Sequence, residues 1–177
     1  MSIITRVKNG DEEAFSELIE EYKLSIYKTA KAILKDEDDV CDAIQDVALS
    51  IYKNISNLKN EKYFKTWVIR ITINKCYDII TKYKFDNEKK SKIQSNFKEI
   101  HNSFDREVIV KTDIEKALNL LEDDLRIVTV LYYYNDFSIS EISKILNIPK
   151  GTVKSRAFRA REKLYEILRE EEVNVIE

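Results

Sequence analysis

Glycine and proline are nearly missing from this sequence: Gly10, Gly151 and Pro149 are all that 177 residues contain. Their scarcity removes most turn and breaker chemistry and favours long uninterrupted helices, so an all-α protein is expected. Cysteine is as scarce. Cys41 and Cys76 fall inside helical patterns without metal-ligand spacing, so neither a disulfide scaffold nor a metal site is expected, and both read as small buried apolar residues. The one histidine, His101, has no partner suggested by spacing, and there is no glycine-rich loop to cradle a phosphate. The run Asp36, Glu37, Asp38, Asp39 could suggest a metal-dependent enzyme. Adjacent carboxylates at a helix start, however, point in different directions and stabilise the helix dipole without an ion. An enzyme reading therefore has no residues to rest on, and no cofactor is expected. Apolar runs fall short of the roughly 18 to 20 residues that span a bilayer. The first ten residues lack the apolar segment and cleavage site of a secretory signal. No membrane insertion is expected, and the expected location is the cytoplasm.

What is present is charge, and it is segregated. The net charge of −2 would not suggest a nucleic-acid binder, but its distribution along the chain carries more information. Lys and Arg number 6 against 12 Asp and Glu in residues 1–52, then 11 against 4 in residues 53–92. The pattern repeats with 6 against 10 in residues 93–149, 6 against 1 in residues 150–163, and 1 against 5 in residues 164–177. Two basic blocks in separate segments point to an anionic polymer as partner.

A chain of this length suits one ordinary domain or two small ones. From Asp11 to Leu34 apolar residues recur at three-and-four spacing, among them Ala14, Phe15, Leu18, Tyr22, Ile26 and Ala30, which marks a helix with these residues in the core. After the acidic turn, Val40, Ala43, Ile44, Val47, Ala48 and Ile51 continue the spacing and leave Asp42, Gln45, Asp46 and Leu49 on another face, a candidate partner surface. A polar break at residues 57–62 precedes a helix expected over residues 63–83. It is apolar over much of its circumference, but Thr66, Arg70, Asn74 and Asp78 form a polar stripe four apart. Trp67 reads as core. Residues 85–106 are polar and aperiodic, with Lys89, Lys90 and Lys92, and read as a linker with room for a short helix.

Helical spacing resumes near Val108 and breaks at Asn135 and Asp136. Ser138 with Glu141 fits a capping box, which predicts a short helix over residues 139–146. Asn147, Ile148 and Pro149 make the next turn, and a third helix is expected from there to about residue 168. Two helices joined by so short a turn match the helix-turn-helix plan for entering a major groove. On the second helix Val153, Ala157, Ala160 and Leu164 share one face, and Thr152, Ser155, Arg156 and Arg159 share another. One face packs while the other can read DNA, where a bidentate arginine contact discriminates by roughly 1 to 3 kcal/mol.

These residues resemble the extracytoplasmic-function, or group four, sigma factors over nearly the whole chain. Gly10-Asp11-Glu12-Glu13-Ala14-Phe15, with Leu18 and Tyr22, looks like the opening helix of region two in that family. Asp42-Ala43-Ile44-Gln45-Asp46-Val47 is similar to its acidic polymerase-binding helix. Phe64-Lys65-Thr66-Trp67-Val68-Ile69-Arg70-Ile71, with Asn74 and Asp78, resembles its promoter-reading helix. The segment from Ile142 through Pro149-Lys150-Gly151-Thr152-Val153-Lys154-Ser155-Arg156, with Arg159, Ala160 and Arg161, is similar to the region-four helix-turn-helix. Ala48, Tyr52 and Thr81 depart from the usual phenylalanine, tryptophan and basic residue, and the family's arginine run is reduced to Lys82 and Lys84.

The resemblance implies two small helical domains joined by a flexible linker: a region-two domain over residues 1–84, the linker over residues 85–106, and a region-four helix-turn-helix domain over residues 107–177. It implies that Asp42, Gln45, Asp46 and Leu49 dock on the coiled-coil clamp of the largest subunit of core RNA polymerase. Asn57, Lys59, Asn60 and Lys62 of the loop, with Lys65, Arg70, Asn74 and Lys82 of the helix, would bind the minus-ten element and help melt the promoter by holding a flipped base. In region four, Lys150 and Lys154 would hold phosphates of the minus-thirty-five element while Thr152, Ser155, Arg156, Phe158 and Arg159 face the bases. Phe158 has two readings, contact with a thymine methyl or packing under a neighbouring helix. The implied partners are core RNA polymerase, promoter DNA and an anti-sigma factor. Beside the metal-dependent enzyme already weighed, the rival reading is a dimeric operator-binding regulator, which has no need of the residue 42–47 and 67–78 series.

Overall fold

The computed structural model describes residues 1–90 and 113–174, and every regular element in them is helical. The first half contains α1 (Ile3–Lys8), α2 (Glu12–Lys31), α3 (Glu37–Asn54) and α4 (Phe64–Lys90), with 3-10 turns at Ile55–Asn57 and Glu61–Tyr63 joining α3 to α4. The second contains α5 (Asp113–Leu120), α6 (Asp123–Tyr133), α7 (Ile139–Leu146) and α8 (Lys150–Asn174).

Carboxylates set the helix starts. Asp11 accepts from the Ala14 amide at 2.9 Å and from Arg6 Nε at 2.8 Å, and these bonds, the Ala14 amide first, hold its carboxyl below the usual range. Gly10, at φ +88°, supplies the left-handed turn between α1 and α2. Asp36 accepts from the amides of Asp38 and Asp39 at 2.9 and 3.2 Å. The acidic run is thus a cap that also places Glu37, Asp38 and Asp39 in the first turn of α3. Leu18, Ile26, Val47, Ile51, Phe64 and Val68 form the core beneath. Phe64, 1% exposed, takes Tyr22 edge-on at 5.0 Å, and truncating it to alanine would cost about 3 to 5 kcal/mol. Trp67 is half-buried against the same cluster.

Three expectations need correction. The sequence reading has no α1, a six-residue helix whose Ile4 and Val7 are buried in this core. Cys76 is buried, packed with Ala30, Leu34, Val40 and Ala43, but Cys41 is exposed. Val40 and Ala43 both point inward, and the helical turn of about 100° per residue carries position 41 off their face. Burial pushes the Cys76 thiol up to about 12. Finally, α4 runs on to Lys90, through the first residues of the expected linker. Tyr83, the last residue of the expected helix, donates to the Asp39 carboxylate at 2.7 Å, which ties this part of α4 to the start of α3 and pushes the phenol up to about 12. The rest of the expected linker, with Lys92 and His101, lies outside the described residues.

In the second half the sequence signals hold closely. Glu141 N–H donates to Ser138 Oγ at 3.3 Å, and Ser138 N–H donates to the Glu141 carboxylate at 2.9 Å, closing the capping box. Asn147 ends α7 in the left-handed region, at φ 53°. Pro149 precedes α8, its carbonyl taking the Val153 amide at 3.1 Å. That helix continues past the expected end near residue 168.

The two halves touch. Every residue of α6 from Leu125 through Leu131 is buried, which requires cover on all sides. Packing on α7 and α8 supplies one side, and α2 supplies another, while α4 meets α7. Ala32, Ile69 and Ile73 share one cluster with Ile127, Val128, Val130, Leu131, Phe137, Ile142 and Ile145.

Candidate nucleic-acid interface

The α3 surface is two-sided, as its spacing predicts. Val40, Ala43, Val47 and Ile51 are fully buried, while Asp42, Gln45, Asp46 and Leu49 are all exposed on the opposite side. Leu49, at 55% exposure, is an apolar knob among carboxylates. Beside it lies a groove of about 360 Å³ lined by Glu12, Phe15, Ser16, Ala48, Leu49 and Tyr52. Phe15 packs on the edge of the core, half-buried, as its spacing predicts, and its ring also meets the exposed Tyr52 edge-on at 5.2 Å and forms a groove wall.

Between α3 and α4, Asn57, Lys59, Asn60 and Lys62 are all exposed. Asn60 caps the second 3-10 turn by accepting from the Lys62 amide at 3.0 Å. The loop is held from below by α1, which the sequence reading missed: Lys8 Nζ donates to the Leu58 carbonyl at 2.6 Å and Thr5 Oγ1 to Glu61 Oε1 at 2.8 Å. Hydrogen bonds from Ser2 and Thr5 hold the Glu61 carboxyl below its ordinary range. Along α4 the stripe of Thr66, Arg70, Asn74 and Asp78 is present, and its last three members are exposed. Two cations assigned to this surface already have partners. Lys65 sits 5.2 Å from the Phe137 ring centroid, and Arg70 donates to the Lys144 carbonyl at 2.8 Å. Lys82 is exposed further along.

On α8, Val153 and Ala160 are buried, while Lys150, Lys154, Ser155, Phe158 and Arg159 are exposed and Thr152 is half-buried. Phe158, at 52% exposure, does not pack under a neighbouring helix; its ring lies 5.9 Å from the Arg161 guanidinium carbon. Arg156 departs from its expected place on this face. Its Nε binds the Asp124 carboxylate of α6 at 2.9 Å, with the side chain only 25% exposed. Lys163 binds Glu122 at 2.7 Å in the same way, and that bond holds the Glu122 carboxyl below its usual range. Two acids at the start of α6 therefore brace α8. Among the described residues, no group of His, Cys, Asp and Glu is arranged to hold a metal ion.

Comparison with known proteins matches residues 18–85 to Sigma-70 region 2 and residues 111–164 to Sigma-70, region 4. The ECF RNA polymerase sigma factor SigW of Bacillus subtilis is 32% identical, covering 94% of this chain and 95% of its own. The ECF RNA polymerase sigma-E factor of Escherichia coli K12 is 30% identical, covering 90% and 89%. Among solved structures, the Bartonella quintana sigma factor RpoE in complex with the anti-sigma factor NepR superposes with a TM-score of 0.67 at 24% identity, over 86% of this chain and 97% of that one. CnrH in complex with the cytosolic domain of CnrY gives 0.64 at 22% identity, over 94% of each. At these identities the two structures show a shared fold.

Proposed function

The chain belongs to the sigma-70 family, in its extracytoplasmic-function group, and from that premise we propose how its surfaces divide the work of initiation. It is a promoter-recognising RNA polymerase sigma factor, which directs initiation without being an enzyme. The α3 face of Asp42, Gln45, Asp46 and Leu49 docks on core polymerase, an acidic and partly apolar surface suited to a basic partner. The loop residues Asn57, Lys59, Asn60 and Lys62, with Lys65, Arg70, Asn74 and Lys82, take the minus-ten element and help to hold it open. Extruding a base costs a few kcal/mol, which hydrogen bonds from such a loop can offset. The outer face of α8 reads the minus-thirty-five element through Thr152, Ser155, Phe158 and Arg159, with Lys150 and Lys154 on phosphates.

The observation that carries this division is the sidedness of the two functional helices. On α3 and on α8 one face is sealed in a core while the other offers a coherent set of exposed groups, acidic in the first and basic in the second. The residue ranges 1–84 and 107–177 serve as the region-two and region-four units. An anti-sigma factor belongs to the same proposal, since two structural neighbours were solved with one or with a cytosolic partner domain. Among the described residues no helix is long and apolar enough to cross a membrane, and a factor acting on polymerase and DNA works in the cytoplasm. Run-off transcription of genomic fragments by core polymerase, with and without this chain, tests the proposal. New start sites are expected only with the chain, and an unchanged transcript pattern would overturn it.

A further inference from the structure

We propose that α1 is a positioning element for base choice: Thr5 and Lys8 hold the loop between α3 and α4 in the shape that takes a minus-ten base. This role rests on the assignment of that loop to the minus-ten element made above.

The loop has little of its own to hold it. Its regular structure is two 3-10 turns, Ile55–Asn57 and Glu61–Tyr63, and turns this short contain too few internal bonds to persist alone. Its underside is fixed by burial. Ile55 and Leu58 enter the same apolar cluster as Ile4 and Val7 of α1. Its outer side, with Asn57, Lys59, Asn60 and Lys62, is exposed and has no such packing to set its shape. Polar bonds from α1 do that instead. Lys8 Nζ donates to the Leu58 carbonyl at 2.6 Å, and Thr5 Oγ1 donates to Glu61 Oε1 at 2.8 Å. Thr5 and Lys8 stand three apart and leave α1 on one side, as Ile4 and Val7 do on another. Their two partners are also three apart and bracket Lys59 and Asn60.

Glu61 shows what the brace is for. A carboxylate between Lys59 and Lys62 would repel a phosphate, so as a DNA contact it is out of place. It is half-buried instead, and bonded to α1. The Thr5 hydroxyl that donates to it accepts in turn from Ser2 Oγ at 3.0 Å. Hydrogen bonds from Ser2 and Thr5, with the charge of Lys8 nearby, hold the Glu61 carboxyl below its ordinary range. It therefore stays ionised as an anchor. Asn60, accepting from the Lys62 amide at 3.0 Å, locks the same segment from within.

A loop already in its binding shape loses little freedom when a base arrives, and it fits one base better than another; a loose loop adapts to any. Loss of the brace should therefore weaken the choice among bases more than affinity in general. The brace uses none of Asp42, Gln45, Asp46 or Leu49, so affinity for core polymerase should be unchanged.

The test combines Lys8→Met with Thr5→Val, which remove both donors and keep the apolar stem and the branched shape. Circular dichroism confirms the fold. Hydrogen exchange on the full chain should show the amides of Leu58, Lys62 and Tyr63, all bonded within the loop, exchanging faster than in wild type. Fluorescence anisotropy of the holoenzyme then uses a fluorescein-labelled duplex with a promoter mapped by the run-off assay, and the same duplex with its minus-ten bases changed. The ratio of the two affinities should fall by about fivefold or more, the fraction by which the competent loop shape is depleted. Lys8→Arg with Thr5→Ser should restore both exchange and ratio. Glu61→Ala should lower the ratio as Thr5→Val does, and the two together no further than either alone. Unchanged exchange would show that α1 does not hold the loop, and faster exchange with an unchanged ratio would show that the held shape does not govern base choice. Additive losses at Thr5 and Glu61 would remove the anchor. Asn57→Ala with Lys59→Ala separates this from the reading beneath it: an unchanged ratio there would sink the loop assignment and the brace's role together, while a lowered ratio beside unaffected Thr5 and Lys8 variants would overturn the brace alone.

Discussion

Arg156 and Arg159 stand three residues apart on α8, and helical spacing alone puts them on one face. The structure divides them. Arg159 is exposed, whereas Arg156 turns back to Asp124 at 2.9 Å. Spacing fixes where a Cα sits on the helix, but a long side chain goes where its charge is met, and the carboxylate lies on another helix. The two arginines should therefore fail differently. Arg159→Ala should lower promoter-specific transcription in a manner that depends on the minus-thirty-five sequence, by the roughly 1 to 3 kcal/mol of a base contact, with thermal stability unchanged. Arg156→Ala should lower Tm, by no more than about 2 to 4 °C, because a partly exposed pair contributes at most ~1 kcal/mol. Its effect on transcription should be the same across minus-thirty-five sequences, and Asp124→Arg with Arg156→Asp should recover Tm. Altered sequence preference in Arg156→Ala, with melting untouched, would return that arginine to the reading face.

At the scale of the element, α7 shows how much local chemistry can specify. Its bounds, Ile139–Leu146, are those the capping box predicts, because both partners of the box lie within one turn and need nothing from the rest of the chain. Ser138→Ala should cost about 1 kcal/mol. The Glu141 carboxyl is held below its ordinary value by hydrogen bonds from the Ser138 side chain and amide. Its contribution is therefore complete above the unfolded glutamate value and is lost as pH falls through the depressed folded one. Thermal melts of wild type and Glu141→Gln should converge as the solution is acidified through that range and diverge above it; parallel curves would show that the carboxylate does not stabilise the cap. α4 shows the opposite case. Its apolar residues cover much of its circumference, a pattern that says the helix is buried without saying by what. Ile69 and Ile73 meet the second half of the chain, Val68 and Phe64 one part of the first, and Cys76 another. Its continuation to Lys90 was hidden because residues 86–90 are all polar and show no helical alternation of apolar groups.

For the whole molecule, charge is the most legible property, with acidic and basic blocks alternating along the chain. With the acidic α3 face open and Arg70 occupied, the free chain should bind core polymerase more tightly than duplex DNA, and Asp42→Lys with Asp46→Lys should weaken that binding at least tenfold in a titration monitored by anisotropy. Unchanged affinity for core would remove the docking assignment. The sequence by itself determined that the chain is helical, where most helices begin, which face of α3 and α8 is sealed, and the sigma-like order of its motifs. These depend on neighbours within one or two turns, so spacing and capping residues carry them. The tertiary structure decided which long side chains are free, as with Arg70, Lys65 and Arg156. It also decided that α1 braces the α3–α4 loop, and which surfaces of the two domains meet beside α6. Those outcomes depend on groups far apart in the chain, as in Lys8 with Leu58, Arg156 with Asp124 and Arg126 with Ala32. No periodicity records such pairings, because each half presents a satisfied helical pattern and only their contact shows which surfaces are covered.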